Sequence, residues 1–187
     1  LKVVCPSDAY DAKGLLIQAI RDDDPVIFCE HKALYGSECD VPEESYTIPF
    51  GEANVVREGK DVTIVSYGLT VHRALEAAET LAKTGVQAEV IDLRTLSPID
   101  WDTVIESVEN TGRLVVVDEA NPRCSIAGDV AAHVAQNAFG ALKAAPQMVT
   151  APHTPVPFSP VLEDLYIPSA DAIAAAANKT TARALAA

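Results

Sequence analysis

Three short runs centred on apolar residues constrain this chain more than anything else in it. They occupy residues 61–67 (DVTIVSY), 86–95 (containing QAEVIDLRT) and 113–119 (RLVVVDE). Strands that are buried on both faces read as continuous apolar runs, and such strands belong to parallel sheets covered by helices. Between the runs the apolar spacing changes to that of a helix. Ala74, Leu75, Ala78 and Leu81 share one stripe of residues 71–84, and Gly85 is the expected C′ residue. Leu96-Ser97-Pro98 turns the chain into a second helix at 99–110, and a third is expected at 126–139. A short strand at 148–151, an irregular run with three prolines at 153–160 and an Ala-rich helix at 171–187 follow. Ser169 is the expected cap of that last helix, with Ile173, Ala177 and Leu185 facing inward. Strand alternating with helix three times predicts a doubly wound, mostly parallel α/β sheet with right-handed crossovers.

A smaller unit precedes it. Residues 1–5 read as a buried strand stopped by Pro6, and Ser7 or Asp8 as the cap of a helix at 9–20. Ala12, Leu15, Leu16, Ala19 and Ile20 lie on one face of that helix. Asp22-Asp23-Asp24-Pro25 ends it, and residues 25–30 (PVIFCE) read as a fully buried strand, completing a βαβ unit. Residues 31–58 have no periodicity and hold Gly36, Pro42, Pro49 and Gly51. They read as a long linker with a short strand around 52–57, marking a boundary.

Several function classes are excluded. The chain has 14 Lys+Arg against 27 Asp+Glu, a net charge of −13, whereas a nucleic-acid binder needs a cationic face. No run of 18 apolar residues exists to span a membrane. No signal peptide is visible. The chain opens on Leu1 and its one Met is Met148, so it is expected to be a piece of a longer chain, cut within a domain. Cys5, Cys29, Cys39 and Cys124 fit no zinc spacing, and Cys5 and Cys29 are expected as small buried side chains. A reduced, cytoplasmic compartment follows.

Catalytic signatures are few. There is no P-loop, G-x-G-x-x-G, G-x-S-x-G or H-E-x-x-H. Gly68 is expected to mark a tight strand–helix turn. His72 and His133 fall on helices and are expected to be solvated. His31 follows a strand's carboxyl end, where ligands of α/β folds bind, and Asp118-Glu119 end another strand. His153 lies in a proline-rich loop. Asp92 and Arg94, charged within a strand, need partners, and an ion pair or an interface role is expected rather than catalysis. The run Asp22-Asp23-Asp24 follows a helix end whose carbonyls around Ala19 and Ile20 are orphaned; it reads as a solvated turn or as ligands of a hard cation.

Four phrases then carry a resemblance: LKVVCPSDAYDAKGLLIQAIRDDDPVIFCEHKALYG, DVTIVSYGLTVHRALEAAETLAKTGVQAEVIDLRTLSPID, GRLVVVDEA and TPVPFSPVLEDLYIPS, in that order. They resemble the beta subunits of the thiamine-diphosphate-dependent decarboxylase component of 2-oxo acid dehydrogenase complexes. KALYGSECDVPEE and APHTPVPFSPVLEDLY are most similar to the acetoin dehydrogenase branch. The resemblance implies that residues 1–45 are the tail of a pyrimidine-binding domain, 46–59 a linker and 60–187 a transketolase carboxyl-terminal domain. It implies thiamine diphosphate and magnesium in the parent complex, with the cofactor-activating and active-site residues outside this chain, so that the chain alone is inactive. It implies an alpha subunit, a second beta subunit and the acyltransferase core as partners. It further implies a potassium ion at Ala19, Ile20, Asp22 and Asp24, with Asp24 standing where relatives often have Asn. One departure is the loop Pro122-Arg123-Cys124-Ser125-Ile126-Ala127-Gly128-Asp129, where relatives often carry a glycine-rich phrase. An assembly module without catalysis, a pyruvate or branched-chain enzyme, and a transketolase branch remain competing readings.

Overall fold

The computed structural model describes residues 1–182. The first unit holds β1 (Lys2–Val4), α1 (Ala9–Arg21) and β2 (Val26–Phe28), followed by a 3₁₀ turn (Lys32–Leu34). The second holds β3 (Asn54–Arg57), β4 (Val62–Ser66), α2 (Leu69–Ala82), β5 (Ala88–Asp92), β6 (Thr95–Ser97), α3 (Trp101–Thr111), β7 (Leu114–Asp118) and α4 (Ile126–Asn137). A second 3₁₀ turn (Phe139–Ala141), β8 (Gln147–Thr150), α5 (Pro160–Tyr166) and α6 (Ala170–Ala182) complete it.

The apolar runs form the centre of a five-stranded sheet ordered β3-β5-β4-β7-β8. Its β5-β4-β7-β8 pairings are parallel and β3 joins antiparallel at the edge. Every residue of β4 and β7 is buried, as a sheet covered on both faces requires. One face packs Ala74, Ala77, Ala78 and Leu81 of α2 with Ile173 and Ala177 of α6. The other packs Val104 and Val108 of α3 with Val130 and Val134 of α4. The expected doubly wound, mostly parallel α/β sheet is therefore present. Among the described residues no helix is long and apolar enough to cross a membrane.

Four expectations need correction. Residues 86–95 are not one strand. β5 stops at Asp92, and Arg94 takes φ 57°, a left-handed conformation that cannot continue a pleated strand. The chain turns there, and β6 pairs antiparallel with β1, so a strand of the second unit completes the first unit's sheet, ordered β2-β1-β6. Secondly, β2 is an edge strand and only partly covered, and Cys29 beyond it is exposed while Cys5 is buried.

Thirdly, residues 31–58 are more than a spacer. Ile48 is buried against Val4 and Leu15. The Tyr46 ring stacks on Tyr10 at 4.7 Å and its hydroxyl donates to the Tyr10 carbonyl at 2.7 Å. Lys13 Nζ donates to the carbonyls of Pro42, Glu43 and Glu44. The strap lies on α1 at Gly14, where a Cβ would come 2.7 Å from Ile48. Fourthly, α5 has no buried residue, so no periodic apolar face announced it. Ser169 Oγ caps the last helix by accepting from Ala172 N–H at 3.2 Å, with Ile173 and Ala177 buried as expected; Leu185 lies outside the described residues.

Gly59 marks the tightest crossing. A Cβ there would lie 2.2 Å from the backbone of Ala88 and Glu89. Gly59→Ala should lower unfolding stability by about 3 kcal/mol, the upper end of over-packing costs, in denaturant titrations. Gly36→Ala, whose Cβ meets nothing within 4 Å, should stay within about 0.5 kcal/mol of the parent.

Candidate functional site

Ligands of open α/β sheets bind outside the carboxyl ends of the strands, and here those ends from both sheets meet. Arg94 C=O accepts from Cys5 N–H at 2.8 Å, and Gly68, at φ 56°, opens α2 so close to Cys5 Sγ that a Cβ would stand 3.1 Å away. The expected tight turn at Gly68 is confirmed.

Asp8 caps α1 by accepting from Asp11 N–H at 2.7 Å, which leaves Ser7 free for another use. Ser7 Oγ donates to Asp92 Oδ2 at 2.5 Å, and Arg94 N–H donates to Asp92 Oδ1 at 2.9 Å. Burial pushes the Asp92 carboxyl up to about 7, with the two donors opposing the shift. The Arg94 guanidinium grips Asp11 with two bonds, Nε to Oδ2 and Nη2 to Oδ1, each 2.7 Å. The expected ion pair at Arg94 is thus present, across the two units. Burial raises the Asp11 carboxyl despite that partner.

The end of β7 divides its two acids. Asp118 is fully buried and accepts from Tyr67 Oη at 2.5 Å, Ala120 N–H at 2.8 Å and Ala127 N–H at 3.1 Å. Burial, then the bond to Asp118, raises the Tyr67 phenol above its ordinary range. Glu119 instead faces the first unit, where His31 Nε2 lies 3.0 Å from its Oε2. His31 Nδ1 accepts from Ala33 N–H at 3.2 Å, so the ring proton is on Nε2 and is donated to Glu119. Glu119 Oε1 is buried and has no partner among the described residues. Burial also pushes the Cys5 thiol up to about 12, which keeps it protonated and unreactive.

In front of His31 is a cleft of about 210 Å³, lined by Pro6, Ser7, Asp8, Glu30, His31 and Tyr35 among others. Glu30 accepts from Tyr35 Oη at 2.8 Å. His31, which lines the cleft, is engaged at both nitrogens. Asp8 and Glu30 disfavour a phosphate there.

The residues singled out in the sequence divide into three groups. His31 and Glu119 are brought together, and Asp92 and Arg94 stand beside them. Ala19, Ile20, Asp22 and Asp24 lie elsewhere, at the far end of α1, whose cap residue Asp22 is extended. Lys2 Nζ sits against Asp22 at 2.7 and 2.8 Å and Asp24 at 3.1 Å; its bond holds the Asp22 carboxyl below the usual range. Among the described residues no group of three His, Cys, Asp or Glu could hold a metal ion. His72 and His133 are not simply solvated: His72 Nε2 donates to Ser7 C=O at 2.8 Å, and the His133 ring stacks on Trp101 at 3.8 Å. His153 is exposed. Sequence reasoning missed Ser7 and Tyr67, because both look like ordinary turn residues until the strand ends face each other.

A doubly wound sheet closed against a βαβ unit through facing strand ends defines the architecture of the paired domains of transketolases. Residues 51–173 match the family "Transketolase, C-terminal domain", and residues 1–38 match "Transketolase, pyrimidine binding domain". The chain belongs to the transketolase C-terminal domain family. It is 77% identical over 96% of its length to the acetoin:2,6-dichlorophenolindophenol oxidoreductase subunit beta of Cupriavidus necator, covering 53% of that protein. The namesake subunit of Bacillus subtilis is 57% identical over 92% of this chain, with 51% of it covered. The pyruvate dehydrogenase E1 component subunit beta of Bacillus subtilis is 53% identical over 90%, with 52% covered. The chain therefore spans about half the length of the curated relatives it matches. A split-gene transketolase, solved as an inactive beta4 tetramer, superposes with a TM-score of 0.81 at 28% identity, over 97% of this chain and 57% of its own.

The Arg94–Asp11 pair joins the two units with side chains that are 14% and 2% exposed. Asp11→Asn should cost about 3–5 kcal/mol in urea unfolding, because a buried guanidinium is left without its counter-charge. Replacing both, as Asp11→Asn with Arg94→Met, should cost less than Asp11→Asn alone.

Proposed function

We propose that the chain forms part of the beta subunit of a thiamine-diphosphate-dependent acetoin dehydrogenase, which cleaves its substrate and passes the acyl unit to a lipoyl group. The observation that carries this reading is the 77% identity to an acetoin oxidoreductase subunit beta, spread over 96% of this chain. The described residues do not fit the cofactor's diphosphate: the cleft at the strand ends is lined by Asp8 and Glu30, and both repel it. In this reading thiamine diphosphate and its magnesium are therefore held by other parts of the assembly, with the alpha subunit taking the diphosphate. This chain then serves assembly with the alpha subunit, a second beta subunit and the acyltransferase core, in the cytoplasm. Its charge of −13 would steer a basic docking domain.

The proposed potassium ion would use the carbonyls of Ala19, Ile20 and Asp22, with Asp24 beside them. Carbonyl and carboxylate oxygens are donors of the kind a hard cation takes. Helix α1 ends on an extended residue, which directs its last carbonyls outward. Lys2 contacts both Asp22 and Asp24 and balances one of the charges of the acidic run.

The test is reduction of 2,6-dichlorophenolindophenol by the full-length beta subunit with its alpha subunit, thiamine diphosphate and magnesium. Acetoin should exceed pyruvate in kcat/KM by about tenfold or more. A preference for pyruvate, or no turnover with acetoin, would contradict the reading. At equal ionic strength, potassium should raise the unfolding midpoint above that in sodium.

A further inference from the structure

The junction beside the cleft contains a buried acid, Asp92, whose two bonds come from uncharged donors. Asp92 has no exposed surface. Neutral, its Oδ2–H would donate to Ser7 Oγ at the same 2.5 Å contact, while Oδ1 still accepts Arg94 N–H. Ionised, it places an unhydrated negative charge near the Asp11 carboxylate. The cation that faces it, Arg94, directs both side-chain bonds to Asp11. The other groups around it are Cys5 just beyond β1, Asp8 at the start of α1, and His72 from α2, whose ring bonds Ser7 C=O. Asn54 of β3 and Ser66 of β4, its register neighbours, carry no charge. On the sheet sides hydrogen-bonded strands block water. The side that can yield is the Ser7 loop, and Ser7 and Asp8 are themselves walls of the cleft.

We propose that Asp92 is a proton-operated latch: its neutral carboxyl holds the Ser7–Asp8 lip of the cleft closed, and its ionisation favours opening of that lip to water. This goes beyond the assignment to an acetoin dehydrogenase and does not depend on it. Each opening event exposes the carboxyl, which then ionises near the ordinary value of about 3.9 and releases its proton to solvent. The closed-state carboxyl is pushed up to about 7. The opening constant therefore rises with pH between those limits, by at most about tenfold per pH unit for one proton, and levels off above them.

The test is hydrogen exchange of the amides of residues 5–12 and 92–95 in the intact protein between pH 4.5 and 8.5, corrected for intrinsic rates. Opening should rise about tenfold to a hundredfold between pH 5 and 7 and flatten above pH 8. Asp92→Asn should abolish the rise. Ser7→Ala, which removes a donor to the carboxylate, should move the rise to higher pH; this variant decides if Asp92→Asn does not fold. A flat profile in the parent protein, an unchanged rise in Asp92→Asn, or an unshifted one in Ser7→Ala would overturn the proposal. Loss of the rise in His72→Gln with retention in Asp92→Asn would assign it to the histidine, and would overturn it equally.

Discussion

Everything at the junction hangs on the polar contacts of Arg94. Its left-handed backbone turns the chain out of the five-stranded sheet, a conformation that surroundings must hold in a residue with a Cβ. The surroundings do so from three directions. Its N–H is bonded to Asp92, its C=O accepts from Cys5, and its guanidinium is clamped on Asp11. Two of those three partners belong to the first unit. From that turn follow β6, its pairing with β1, and the facing strand ends that carry Ser7, His31, Asp92 and Glu119. The cleft itself is walled by the first unit, and the joint sets Asp92 and Glu119 against two of its residues, Ser7 and His31.

This arrangement explains which parts of the molecule could be read from the amino-acid order. The central strands were readable because a strand buried on both faces is mostly apolar, as in VTIVS and LVVVD, whose polar members Thr63, Ser66 and Asp118 are hydrogen-bonded. Gly85 was readable as a stop because it takes positive φ. The break at Arg94 was not, since nothing in IDLRT distinguishes a strand's end from its continuation until Asp11 is brought alongside. For the same reason the charge of Arg94 pointed correctly to an ion pair but not to its partner, 83 positions away. The strap over α1 was read as a linker because its anchor points, Tyr46, Ile48 and Lys13, have no common period. The site was half visible: His31 and Glu119 stood out as polar residues at strand ends. Ser7 and Tyr67 acquire their roles only from contacts with acids far along the chain.

The chemistry of the junction also bounds what this chain does. Its acids are buried, paired or aligned with donors, its buried thiol is kept protonated, and its histidines are engaged. Such a set orients and supports. That agrees with a chain which spans about half the length of its relatives and whose proposed part in catalysis is to assemble the machinery around a cofactor held elsewhere. The exposed apolar residues Val156, Phe158, Val161 and Leu165 around α5 are surface of the kind that assemblies cover.

The central claim is that the two units form one cooperative structure joined through Arg94. It is tested most directly by following unfolding with two local probes in one urea titration. Trp101 is the one tryptophan of the chain and reports the second unit by its fluorescence; the Tyr10–Tyr46 stack reports the first by its near-ultraviolet dichroism. The account predicts a single transition with coincident midpoints and slopes. Two separated transitions, with the first unit melting while Trp101 keeps its native signal, would contradict it.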